Sequence, residues 1–226
     1  MKKIIKNNYQ SNKLSANFYR RNDVVKIAQE LLGKVICSNI GGLYSSAIIT
    51  ETESYAGICD RASHAFGGRY TKRTKVMYEA GGVAYIYLCY GLHHLFNIVT
   101  GDEGNPHAVL LRGVTALEGK EIMMQRRKAI SIDKLSISGP GTAAQALGFS
   151  VKYNQTDLTK NLIWIEDRGI IVAKKEIIIG PRIGVDYAGE DAKLPYRFLW
   201  KLANIKNNQL TKNSNIAWRT ATPAST

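Results

Sequence analysis

Three strand-like runs follow one another in the middle of this chain, and they restrict its fold more than any other feature. They span residues 83–90, 96–100 and 107–114, and they are rich in the aromatic and β-branched residues that favour strands. Residues 91–94 (GLHH) form a predicted turn between the first two. The pair Gly41-Gly42 predicts another turn, and residues 162–200 alternate further runs with turns. This pattern favours an antiparallel sheet over a parallel one.

Predicted helices flank the strands. Residues 22–33 carry an apolar stripe at helical spacing, with Asn22 or Asp23 as the cap and Gly33 at the end. The other predicted helices cover residues 117–130 and 142–147, and the second lies between Gly139-Pro140-Gly141 and Gly148. We therefore expect an α+β fold, a single domain with a mostly antiparallel, barrel-like sheet, flanking helices and a protruding β-hairpin.

The expected domain covers residues 17–205. Residues 1–16 are rich in Lys, Asn and Ser and are predicted to form a flexible basic arm, and residues 206–226 a polar C-terminal tail. No repeat or linker divides the sequence between them. A chain of 226 residues can bury a core without disulfide or metal cross-links.

The charge balance points to a polyanionic partner. The formal net charge is +13 and the sequence pI is about 9.6, which favours nucleic acid or an anionic membrane surface. A protein with a lysine-rich surface and no such partner is the alternative. No apolar run approaches the roughly 20 residues of a membrane span. The three cysteines have no CxxC spacing and the N-terminus has no apolar signal core, so we expect a cytoplasmic, reducing location, on the nucleoid if the source is bacterial.

The segment ITETESY places two carboxylates beside an aromatic ring. On a strand, Glu51, Glu53 and Tyr55 share one face because successive side chains alternate. A carboxylate next to a tyrosine at a strand end suits a general base beside a stacking platform. The alternative is a solvated strand face without chemistry.

Three tyrosines cluster at the predicted hairpin. Tyr85 and Tyr87 share a strand face, and Tyr90 lies at the tip beside Gly91. Aromatic residues at a hairpin tip near the basic loop 67–75 suit the stacking of bases or the wedging of a duplex. An aromatic sheet core is the alternative interpretation.

Arg112 is an arginine inside the apolar run AVLLRGV. A buried arginine needs a carboxylate or phosphate partner, because an unpaired buried charge is very costly. It therefore forms either an ion pair, with Glu51 or Glu53, or a contact with a bound anion. The histidines show neither the paired spacing of zinc ligands nor an HExxH motif, so we expect no metal site.

The combination of these motifs resembles the 3-methyladenine (alkyladenine) DNA glycosylase family. The likeness runs through residues 51–100 without a break and continues in AVLLRG, SGPGTAAQALG and PRIGVDYAGEDAKLPYRF, so that it covers about residues 17–200. Members of this family flip a damaged purine out of duplex DNA and cleave its N-glycosidic bond. They need no metal or other cofactor, and the resemblance implies the same here.

The resemblance assigns roles to individual positions. It implies that Glu53 is the general base for the attacking water and that Arg112 helps to hold that water and the carboxylate. Tyr55 and Tyr87 would stack on the flipped purine, and His64 would form a hydrogen bond with it. Asn97 would clash with the exocyclic amino group of normal guanine.

The resemblance also implies contacts with the DNA. Tyr90 would be the wedge that fills the gap in the base stack, and Leu92 would contact the DNA at the hairpin tip. Arg69, Thr71 and Arg73 would touch the DNA backbone from their loop. Leu92 and His93 differ from the Met and Tyr of some relatives, and residues 102–106 form a slightly longer segment than in some relatives.

We expect a monofunctional hydrolase acting on N-glycosyl bonds. A lyase step needs an amine nucleophile, and no lysine occurs between Glu51 and Tyr70. A nearby Arg112 is expected to lower the pKa of Glu53 and keep it ionised. The expected partner is double-stranded DNA with alkylated or deaminated purines, attacked by a monomer without a membrane contact. The alternative is a non-catalytic nucleic-acid-binding module on the same scaffold.

Overall fold

One antiparallel sheet dominates the computed structural model, which describes residues 12–131 and 137–201. The strands within these ranges are β1 (Val35–Ile40), β2 (Leu43–Tyr55), β3 (Ala84–Cys89), β4 (His93–Thr100), β5 (His107–Glu118), β6 (Ile163–Glu166), β7 (Ile177–Gly180) and β8 (Arg197–Trp200). The α-helices there are α1 (Ala16–Tyr19), α2 (Val24–Glu30), α3 (Lys120–Arg127) and α4 (Pro140–Leu147). Short 3₁₀ helices cover Gly57–Cys59, Phe66–Gly68, Lys75–Tyr78, Val151–Tyr153, Lys174–Glu176 and Asp186–Lys193.

The strand order is that of a single continuous sheet. It reads β3-β4-β5-β2-β1-β6, with β8 added to β2 and β7 to β8, and every pairing is antiparallel. The sheet curls into half a barrel, with the few helices against it. This architecture confirms the predicted α+β class and the antiparallel, barrel-like sheet.

Three irregularities interrupt the pairing of β2 with β5, and two of them lie beside Glu51. The register passes from Ile49 to Glu51 on β2, so that Thr50 is left out, and from Gly113 to Leu111 on β5, so that Arg112 is left out. Such bulges bend a strand and redirect its side chains. They place the carboxylates of β2 and the guanidinium of β5 at the same point of the sheet.

The main core lies between the sheet and the helices α2 and α4. Asp23 caps α2 as predicted, since its side chain accepts a hydrogen bond from the Lys26 N–H at 2.9 Å. Ile27 is fully buried. Phe96 of β4 stacks on Phe149, which follows α4, with ring centroids 4.4 Å apart. Burial of these large apolar side chains holds β2, β4 and β5 in fixed positions.

Longer strands displace two of the predicted boundaries. The helix predicted over 117–130 begins only at Lys120, because Leu117 and Glu118 extend β5, where Glu118 pairs with Ser46 of β2. The turn predicted over 91–94 is shorter, because β4 begins at His93, which pairs with Cys89. In both cases cross-strand pairing extends the strand into residues whose sequence reads as helix or turn.

The predicted terminal segments fall largely outside the described residues. Of the arm, only residues 12–16 are described: Leu14 is buried and donates its N–H to the Ile165 carbonyl at 2.8 Å, and Lys13 bridges to Glu166. This end of the arm therefore lies against β6. The tail over 206–226 is not among the described residues.

Candidate active site

A cavity of about 410 Å³ opens where β2, β3, β4 and β5 face the segment 183–187. Its volume lies in the range of small-molecule sites. The predicted site residues among those that line it are Tyr55, His64, Arg73, Tyr87, Tyr90, Asn97 and Arg112. The structure thus brings together seven positions that are far apart in the sequence.

Glu53 lies directly behind the cavity wall and is fully buried. One carboxylate oxygen, Oε1, accepts the Ile183 N–H at 2.8 Å and lies 3.3 Å from Nη1 of Arg112. The other, Oε2, accepts the Tyr55 hydroxyl at 2.9 Å. Each of these three donor residues lines the cavity. A carboxylate has about four acceptor sites, so one remains for a further donor such as water.

Arg112 joins the two carboxylates of β2. Its Nε donates to Oε1 of Glu51 at 3.1 Å, while Nη1 contacts Glu53. Glu51 accepts in addition from Nε of Arg197 at 2.5 Å. Of the two interpretations open for Arg112, the structure therefore has the ion pair, and both candidate carboxylates take part. The alternative of a solvated strand face for Glu51 and Glu53 is excluded, since both are buried.

The pKa of Glu53 is raised rather than lowered, so this expectation was wrong. Burial raises it, and this cost outweighs the opposing effects of the Arg112 charge, the Ile183 N–H and the Tyr55 hydroxyl, while Glu51 adds a small further increase. The predicted effect of Arg112 has the right sign but is not the largest one. Full removal of a carboxylate from water is not offset by one guanidinium at 3.3 Å.

His64 forms a polar cluster with Tyr85 and Arg73 on one wall of the cavity. Its Nδ1 lies 2.8 Å from the Tyr85 hydroxyl, and its Nε2 lies 3.3 Å from Nη2 of Arg73. A guanidinium only donates, so Nε2 accepts and we place the imidazole proton on Nδ1. Burial and the charges of Arg73 and Arg69 lower the pKa of His64 to about 4, which leaves the ring neutral at pH 7.

The two tyrosines predicted to stack on a base each have a guanidinium near the ring. The Arg182 Cζ lies 4.8 Å from the Tyr55 ring centroid, and the Arg73 Cζ lies 4.6 Å from that of Tyr87. Arg182 is buried and paired with Asp60. Burial raises the pKa of both tyrosine hydroxyls, so they stay protonated at neutral pH.

Asn97 is buried in the cavity floor and its amide is fixed. Its Nδ2 donates to the Tyr85 carbonyl at 3.0 Å across the β3–β4 pair. That bond holds the orientation of the amide, while its side chain lines the cavity. The position is suited to sterically excluding a group on a bound base.

The remaining predicted contacts lie at the mouth or outside the cavity. Tyr90 at the hairpin tip is 91% exposed and Leu92 is 76% exposed. Arg69 and Thr71 are exposed and do not line the cavity, and Thr71 exchanges hydrogen bonds with Thr74 within its loop. The DNA contacts of these positions stay predictions.

Sequence reasoning missed several residues of the cavity. Tyr85 belongs to the tyrosine cluster identified from the sequence and shares a strand face with Tyr87, but it was given no role of its own there. Tyr187 lines the mouth, is 70% exposed and donates its hydroxyl to the Ala62 carbonyl at 3.1 Å. Nothing in its local sequence indicates this, because the contact spans more than a hundred residues.

Neither a metal cluster nor a membrane helix occurs within residues 12–131 and 137–201. No group of three or more His, Cys, Asp or Glu residues there could hold a metal ion. No described helix has the length and apolar character to cross a bilayer.

A family model for methylpurine-DNA glycosylase (MPG) matches residues 17–204. The chain belongs to the methylpurine-DNA glycosylase family. Relatives from Chlamydia felis and Chlamydia abortus are each 44% identical, over 87% and 84% of this chain and 98% and 100% of their own lengths. A relative from Desulfitobacterium hafniense is 39% identical over 82% of this chain and 94% of its own. All three are named "Putative 3-methyladenine DNA glycosylase".

Membership in the methylpurine-DNA glycosylase family confirms the resemblance stated from the sequence. It makes the protein a DNA glycosylase of base excision repair, whose partner is damaged DNA. The matched residues contain β1 to β8 and the whole cavity lining. The site described above is therefore contained in the glycosylase domain.

Proposed function

We propose that the protein removes alkylated or deaminated purines, of the 3-methyladenine type, from duplex DNA by hydrolysis of the N-glycosidic bond. The observation that carries this proposal is the buried Glu53 carboxylate, held by Arg112, Tyr55 and the Ile183 N–H, all of which line one cavity. The damaged base would be flipped out of the stack into this cavity.

Glu53 acts as the general base in this proposal. Water attacks C1′ of the deoxyribose, the C1′–N bond breaks, and its electron pair leaves with the purine. Glu53 takes the proton of the water and stabilises the positive charge that develops on the sugar. Arg112 holds the carboxylate in place and opposes the rise of its pKa by burial.

The reaction stops at the abasic site. A lyase step requires an amine that forms a Schiff base with the sugar. None of the described residues that line the cavity is a lysine. We propose accordingly a monofunctional enzyme, with residues 17–205 as the glycosylase domain, that works as a monomer on nucleoid DNA in the cytoplasm.

The first prediction concerns Glu53→Gln. This variant keeps the shape of the side chain but cannot take a proton, so release of free base from methylated duplex DNA should fall at least about 1,000-fold. Binding of the same DNA should change less than threefold. Chromatography of released bases measures the first quantity and a fluorescence binding assay the second.

The matched control is Glu121→Gln, which changes an exposed carboxylate in the first turn of α3 and should retain full activity. Full base release by Glu53→Gln would reject Glu53 as the general base. Absence of base release by the unaltered protein, with DNA binding intact, would favour the non-catalytic nucleic-acid-binding module instead.

A further inference from the structure

Among the described residues, the guanidinium groups of Arg112 and Arg73 line the cavity, and that of Arg182 lies against the lining residue Tyr55. Arg112 is paired with Glu51 and Glu53, and Arg182 with Asp60. Arg73 contacts a neutral histidine, a tyrosine hydroxyl and a tyrosine ring. Within the described residues, no carboxylate lies within ion-pair distance of Arg73. The cavity wall therefore carries one positive charge that the protein does not neutralise.

The tyrosine rings, in addition, are already near cations. Tyrosine faces such as those of Tyr55 and Tyr87 attract a positively charged purine by cation–π interaction. In the structure, Arg182 and Arg73 lie within 5 Å of these two ring centroids. A second cation gains less from a ring that already interacts with one, and it is repelled by the guanidinium charge.

We infer that Arg73 is a specificity-determining residue that favours neutral lesion bases with a hydrogen-bond acceptor over cationic methylated bases. This inference rests on the proposed function and names the chemical class of base that the same cavity favours. Arg73 lines the cavity and donates only, so it pairs with an acceptor such as the O6 carbonyl of hypoxanthine but not with the N6 amino group of an adenine.

The chemistry of bond cleavage also makes Arg73 favour neutral bases over cationic ones. A cationic purine leaves as a neutral molecule when it takes the electron pair of the C1′–N bond. A neutral purine gains negative charge in the same step and needs stabilisation as it leaves. A fixed guanidinium at the cavity wall stabilises that developing charge, and it does nothing comparable for a cationic base.

The decisive experiment compares two lesions in Arg73→Met. Single-turnover release of hypoxanthine and of 3-methyladenine is measured from duplex DNA at pH 7.5 for the unaltered protein and the variant. The ratio of 3-methyladenine to hypoxanthine release should rise about tenfold in the variant, because the partly solvated charge acts through a moderate effective dielectric. Arg73 is exposed, so the melting temperature should stay within a few degrees.

Arg69→Met is the matched control. It removes the same charge from the same loop, but Arg69 does not line the cavity, so release of both lesions should fall by the same factor. An unchanged lesion ratio in Arg73→Met, with both rates lowered, would overturn the inference and assign Arg73 to the DNA backbone. If the unaltered protein releases neither lesion, the proposed function is rejected instead.

Discussion

Glu51 is a buried carboxylate to which the proposed reaction assigns no step. It does not line the cavity, yet it accepts hydrogen bonds from Arg112 and Arg197, and it lies on the same strand as Glu53. Arg112 is thus held between two carboxylates. We expect Glu51 to act through Arg112 on Glu53, as a positioning residue.

The pH dependence of Glu51→Gln tests this role. Glu51 raises the pKa of Glu53, and its removal also leaves Arg112 to pair with Glu53 alone, so the pKa of Glu53 should fall. A base works only when deprotonated, so activity is lost as the pH falls through its pKa. The acidic limb of the single-turnover pH profile should therefore move to lower pH, with a loss of about 1–3 kcal/mol in the free energy of unfolding.

Glu118→Gln is a suitable comparison, because it removes a carboxylate that is paired with Arg168 at 2.9 Å, away from the cavity. It should cost stability without moving the pH profile. If the acidic limb of the pH profile of Glu51→Gln stays in place or moves to higher pH, Glu51 has a structural role only.

At the scale of elements, the hairpin of β3 and β4 has buried residues at its base and an exposed tip. Tyr85 and Asn97 at the base are buried, whereas Tyr90 at the tip is almost fully exposed in the left-handed region, with φ of 50°. A non-glycine residue in that region costs about 1 kcal/mol. The protein thus holds a large apolar ring in water, in a strained conformation, which suits a wedge.

The variant Tyr90→Gly tests whether Tyr90 acts as a wedge in DNA without contributing to the stability of the fold. Glycine relieves the cost of the positive φ but loses more backbone freedom on folding, and no buried contact is lost, so the free energy of unfolding should change by less than about 1 kcal/mol. Base release from duplex DNA should fall about tenfold, because the flipped state loses its filler, while release from single-stranded DNA should change little. Tyr90→Phe retains the ring and serves as the control. Equal losses on both substrates would argue against a wedge.

The elements also show what the sequence could and could not predict. The hydrophobic runs and Gly41-Gly42 predicted the antiparallel strands, because alternation and turn residues are local signals. The bulge that leaves out Arg112 could not be predicted, since it depends on which residues of β2 face β5. The extension of β5 through Glu118 has the same origin.

The site, like the fold, could be predicted from the sequence only in part. The sequence and the family resemblance predicted seven of the twenty residues that line the cavity, because those seven lie in motifs. The pKa of Glu53 was not predictable, because it depends on complete burial, which only the packed structure reveals. The contact of Arg73 with the DNA backbone stays a prediction, and the contacts of its guanidinium with His64 and Tyr87 are ones that the loop sequence does not indicate.

At the scale of the whole molecule, the net charge of +13 attracts DNA phosphates without regard to sequence. Each phosphate that a cationic side chain neutralises releases a counterion and steepens the dependence of binding on salt. The charge thus favours binding to DNA of any sequence, and under the proposed function the choice of base is left to the cavity.

Arg69→Met tests which charges contact phosphate. In the Glu53→Gln background, which prevents turnover, the slope of log K against log salt for duplex binding should become shallower by about 1. Lys26→Met removes the same charge from α2, away from the cavity, and should leave the slope unchanged. Identical slopes for both variants would place Arg69 outside the DNA interface.

The contact between Glu53 and the Ile183 N–H has a consequence for synthesis on the ribosome. The two residues are 130 positions apart, and Glu53 also pairs in the sheet with Arg197 of β8. An incomplete polypeptide possesses the acidic side chain but not the backbone donor or the neighbouring strand that fix it. Under the proposed function, a chain cut before residue 183 therefore keeps Glu53 without the N–H that orients it and should release no base from DNA.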